Sequence, residues 1–83
     1  MSLERYRIQI DKIDDDILLN LEKRIIISKM IGRLKKKNKL EIDDSERESK
    51  ILERLYQKKT KLKNNDIEEF YKLLFKLSKS VQN

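Results

Sequence analysis

Apolar residues recur at intervals of three and four along most of the chain, and with no Pro and a single Gly there is almost no strand-and-turn punctuation. Leu3, Tyr6, Ile10, Ile13, Ile17, Leu21, Ile27, Ile31 and Leu34 keep a near-heptad spacing with no breaker before Gly32. This predicts one helix from about Leu3 to about Lys37, about 50 Å long at the α-helical rise. The remaining residues are too few to cover it. Asn38 to Asp43 is polar apart from Leu40 and Ile42 and reads as a loop. Ser45 and Glu48 have the capping-box spacing, with Asp43 and Asp44 adding negative charge where a helix N-terminus favours it. They predict a second helix through Ile51, Leu52, Leu55 and Tyr56 to about Leu62. A polar turn, Lys63 to Asp66, follows. With Asn65 or Asp66 as its cap, a third helix carries Ile67, Phe70, Tyr71, Leu74, Leu77 and Val81 on one face.

The fold class is therefore all-α, one long N-terminal helix and two shorter ones, in a single domain over residues 1–83 without repeat or linker. The long helix leaves apolar surface that a second copy would cover, so a homodimer is expected.

Composition narrows the chemistry. Charged residues make up 43% of the chain and hydrophobic ones 37%, close to the border of disorder, so the order of the apolar positions is what decides for folding. Ala, Cys, His, Pro and Trp do not occur. Without Cys and His there is no thiolate nucleophile, no imidazole base, no disulfide and no Cys- or His-based metal site, and no metal is expected. The net charge of +6 favours an anionic partner. Lys35, Lys36, Lys37 and Lys39 form one basic cluster, and Lys58, Lys59, Lys61 and Lys63 a second. No stretch approaches a membrane span and no secretory signal is recognisable, which gives a cytoplasmic expectation and no membrane partner.

The informative positions are polar residues on the apolar stripes. At about 100° per residue from Ile17, Arg24 and Ser28 fall about 20° to either side and Lys35 falls in line. Counted from Ile67, Ser78 lies about 20° and Gln82 about 60° away, whereas Ser80 points to the opposite side. Glu48 stands one turn before Ile51 and Leu52 on the inward side of the second helix. Burying unpaired cations costs several kcal/mol. Either Arg24 pairs with Glu48 or another acid, or the long side chains snorkel outward, or the inward cations with Ser78, Gln82 and Glu48 line a pocket for an anion.

In order and spacing, these residues form a larger pattern. Arg7, Ile10, Ile13, Asp14, Ile17, Leu18, Leu21, Lys23-Arg24, Ile31-Gly32 and Lys35, then Asp44, Arg47-Glu48, Ile51 and Leu52-Glu53-Arg54-Leu55, resemble the all-helical class of chorismate mutase. The stretch from Phe75 to Gln82 resembles that family's third-helix motif. The resemblance spans about Leu3 to Gln82. It implies an intertwined homodimeric helical bundle with two active sites that rearranges chorismate to prephenate, in aromatic amino-acid biosynthesis, without a cofactor.

Position by position, the resemblance implies that Arg24 binds a substrate carboxylate with help from Ser78. Arg7 reaches into the partner's site for the other carboxylate. Lys35 contacts the ether oxygen and a carboxylate, and Gln82 donates to the same oxygen. Glu48, with the backbone near Asp44, holds the ring hydroxyl, and Arg47 adds positive charge. Ile31, Ile51 and Phe75 match apolar wall positions. Arg7 and Arg24 are about 25 Å apart along one helix, too far to grip one small molecule from the same chain.

A pericyclic shift needs no acid, base or nucleophile, which a chain without His or Cys can accommodate. Two other functions compete. An isochorismate pyruvate-lyase would share the carboxylate-binding architecture. A basic helical module would bind nucleic acid through the two lysine clusters, although no reading helix is recognisable, and nucleic acid is not the expected partner.

Overall fold

The computed structural model describes residues 2–83. It contains three helices, α1 (Leu3–Lys37), α2 (Ser45–Tyr56) and α3 (Asn64–Ser80). Ser2 starts α1 by accepting a hydrogen bond from the backbone N–H of Arg5. The helix ends where the chain reverses. The N–H of Leu40 reaches the carbonyl of Lys35 at 2.8 Å, and that of Lys39 reaches Lys36 at 3.3 Å. This is the paired bonding of a Schellman motif, with Lys39 in the left-handed region at φ 54°.

The other two starts differ from the sequence reading. Asp44, not Ser45, caps α2, its Oδ1 accepting from the N–H of Arg47 at 3.0 Å. Three cap-competent residues stand in a row at 43–45, and the capping-box frame selected the wrong one. Neither Asn65 nor Asp66 caps α3, because Lys63 occupies the cap position without a side-chain bond and Asn64 is already helical. The second helix also stops at Tyr56 rather than near Leu62. Beyond it come Lys58, Lys59, Lys61 and Lys63, which have no apolar face to bury and repel one another. The Thr60 hydroxyl accepts from the N–H of Leu62, holding the segment as a turn.

α3 is the middle element, packed against both α1 and α2. The buried apolar residues are Ile51, Ile67, Leu74 and Phe75, joined by two buried hydroxyls, Ser28 and Ser78. Tyr71 packs against both Phe70 and Phe75, but Phe70, expected on the buried face, is itself 52% exposed.

All residues from Ser2 to Asn20 are exposed, including Leu3, Tyr6, Ile10, Ile13 and Ile17. The chain measures 55 × 24 × 16 Å with a radius of gyration of 16.0 Å, against about 12 Å for a compact domain of this length. Its accessible surface is 7512 Å², about 2200 Å² more than a compact monomer of its mass exposes. Among the described residues, no helix is long and apolar enough to cross a membrane.

Candidate active site

The C-terminal half of α1, the loop and first turns of α2, and the end of α3 surround a cavity of about 420 Å³, within the range of small-molecule sites. Ile27, Ile31, Ile42, Ile51 and Phe75 supply apolar wall; Arg24, Ser28, Lys35, Asp44, Arg47, Glu48, Ser78, Lys79 and Gln82 supply polar groups. Seven of the eight residues singled out from sequence thus meet at one place. Arg7 does not. It lies exposed on the part of α1 far from the cavity.

Each polar group has a local reason for its position. Arg24 donates through a guanidinium N–H to the Ser78 hydroxyl oxygen. Ser28 donates to the same oxygen at 3.1 Å. Ser78, accepting twice, keeps its own O–H proton uncommitted. The expected alternative, an Arg24–Glu48 pair across the bundle, is not formed. Lys35 donates to the carbonyl of Ile42 at 3.0 Å, while its own carbonyl terminates α1. One residue therefore ties the helix end to the loop, and its ammonium retains two further donors.

Asp44 is occupied in capping α2. Glu48 pairs with Lys79, Oε2 to Nζ 3.4 Å, and Lys79 also bonds Asp43 Oδ1 at 3.0 Å. The hydrogen bond to Asp43, then the charge of Glu48, raises the Lys79 pKa above its ordinary value. Four cations thus face two carboxylates around the cavity, and both carboxylates are already engaged. The excess is positive, suited to an anion.

Gln82 follows the last turn of α3 and reaches the cavity because Gly32 lets the chain come close. A Cβ at Gly32 would stand 2.6 Å from the Gln82 Cα and 2.9 Å from its carbonyl oxygen. Gly32 is buried. The Gln82 Oε1 is buried with no hydrogen-bond partner among the described residues.

Sequence reasoning missed Lys79 and did not select Ser28 as a site residue, although Ser28 was visible on the α1 stripe. Lys79 lies about 120° around α3 from Ile67, off the apolar face, and its length carries the ammonium back to the cavity. The roles of Ile27 and Ile42 in the wall carried no signal beyond their apolarity.

An apolar-walled cavity with an excess of fixed cations defines a receptor for a small organic anion. The family follows from the whole chain: it belongs to the chorismate mutase type II family, whose pattern matches residues 6–83. The activity is accordingly that of a chorismate mutase, the rearrangement of chorismate to prephenate. The fold is also similar to that of a conserved hypothetical protein from Pyrococcus furiosus, at 34% identity and a TM-score of 0.81, over 98% of this chain and 95% of that one. A comparison with curated proteins returns no match.

Proposed function

We propose that this cavity is the site of the rearrangement and that Arg24, Lys35 and Gln82 carry it. The observation that supports this most directly is the Arg24–Ser78 hydrogen bond, seated on the buried Ser28 hydroxyl. It fixes a guanidinium inside an apolar-walled cavity, in reach of a substrate carboxylate, at little further entropic cost.

The reaction breaks the bond between ring carbon and ether oxygen as a carbon–carbon bond forms within the same molecule. No proton transfer or covalent intermediate is needed. Rate enhancement comes from confining the enolpyruvyl arm in its reactive geometry and from donors aimed at the oxygen that gains negative charge. Lys35 supplies a charged donor and Gln82 a neutral one. Ser78 assists Arg24 on the carboxylate, Arg47 adds positive charge at the mouth, and Glu48 with the Asp44 backbone receives the ring hydroxyl. Ile31, Ile51 and Phe75 exclude water around the arm.

Arg7 completes the site from a second copy. The exposed apolar stripe of α1 and the excess surface of the lone chain both support an intertwined homodimer, since about 2200 Å² of extra surface per chain matches what obligate partners bury. In that arrangement the partner's Arg7 binds the second carboxylate.

The test is to follow chorismate consumption by absorbance with identification of the product. Prephenate is expected, with Arg24→Ala and Lys35→Ala each losing at least about 10²-fold in turnover, the scale of a lost transition-state donor. Full activity in Lys35→Ala would refute the assigned mechanism, and pyruvate release from isochorismate in place of prephenate would move the chain to the lyase.

A further inference from the structure

Lys79 has no part in the roles given above, yet it reaches the cavity and joins two separate parts of its wall. It stands in the last turn of α3, bonded to Asp43 in the loop before α2 and paired with Glu48 inside α2. Asp43 is 81% exposed, whereas Glu48 is 28% exposed and Lys79 37%. The inner pair is thus the better shielded from solvent and salt. Only Oε2 of Glu48 is engaged, which leaves Oε1 without a partner among the described residues.

We infer that Lys79 is a positioning residue for this reaction: it holds one oxygen of Glu48 and turns the other toward the substrate's ring hydroxyl, while its bond to Asp43 fastens the loop at the same end of the cavity. This rests on the reading of Glu48 as the hydroxyl acceptor. A carboxylate on a helix has several rotamers, and a fixed ammonium on one oxygen selects among them before substrate arrives. The order thus supplied reduces the entropy lost on binding.

The ring hydroxyl takes no part in bond making or breaking, so its recognition is felt alike in the bound ground state and the transition state. Removing a group that only improves this contact raises KM and leaves kcat nearly unchanged.

The experiment is a double-mutant cycle on chorismate turnover with Lys79→Met, Glu48→Gln and both together, and with Lys79→Arg as the conservative variant. Circular dichroism checks the fold of each variant, and Lys79→Gln replaces Lys79→Met if the latter does not fold. Lys79→Met is expected to raise KM about three- to tenfold with kcat within about twofold, the loss of one charge-assisted contact. Lys79→Arg restores most of the KM, and in the Glu48→Gln background the loss of Lys79 adds nothing. If Glu48→Gln raises KM but Lys79→Met does not, or if the two effects add, the role of Lys79 is overturned while that of Glu48 stands. If Glu48→Gln leaves KM unchanged, the assignment of Glu48 falls and the role of Lys79 with it.

Discussion

Gly32 decides where Gln82 can be. A glycine inside a helix costs roughly 1 kcal/mol relative to alanine, so its presence in α1 needs a packing reason, and the α3 end supplies one. Because the atoms it would meet are the Gln82 backbone, at 2.6 Å and 2.9 Å, a side-chain rotation cannot relieve the contact. Gly32→Ala is therefore expected to move residues 81–83 away from α1 and lower kcat by up to about 10²-fold, the effect of an ångström-scale misplacement of a donor. Turnover measured beside a thermal melt checks it, since helix propensity alone would make the variant more stable. At this scale the sequence was legible where a polar residue sat on an apolar stripe, as with Arg24, Lys35 and Ser78. It was not legible for Lys79, whose angular position on α3 assigns it to the flank and whose role depends on the reach of a long side chain. Nor could it decide between the pairing of Arg24 with an acid and its docking on Ser78, because both place Arg24 inward.

The helices themselves followed from hydrophobic spacing, and their ends much less so. α1 ran as far as its pattern predicted, from Leu3 to Lys37. Its stop is made by backbone geometry that no residue advertises, because the left-handed position after the helix is Lys39 rather than the glycine or asparagine usual there. Lys39→Gly should relieve that conformation and stabilise the fold by about 0.5–1 kcal/mol, the gain from freeing a left-handed residue less the added chain entropy. Chemical denaturation of the two proteins side by side measures it; an unchanged or lower midpoint would show that the turn is unstrained. The start of α2 was misplaced by one residue because Asp43, Asp44 and Ser45 are all competent caps, and only the bond to Arg47 distinguishes them. The overlong α2 had a different cause. Leu62 resumes the apolar spacing, but the lysines before it leave no continuous face to bury.

For the molecule as a whole, one chain leaves much of its long helix uncovered. It exposes every residue from Ser2 to Asn20, extends 55 Å, and gathers seven of its eight expected site residues while leaving Arg7 at a distance. The apolar stripe that made a partner expected from sequence is the same stripe that stands exposed in the folded chain. The absent residue types fit this account, since a reaction driven by shape and positive charge has no use for His or Cys; nothing in the structure explains the absence of Ala. The central claim, that each site draws Arg24 from one chain and Arg7 from the other, is tested most directly by mixing two inactive variants. Arg7→Ala and Arg24→Ala are denatured together in equal amounts, refolded, and assayed for conversion of chorismate to prephenate. A twofold-symmetric dimer with shared sites predicts recovery of about a quarter of wild-type activity, because half the dimers are mixed and each mixed dimer rebuilds one site of two. Activity no higher than that of the separate variants would contradict it.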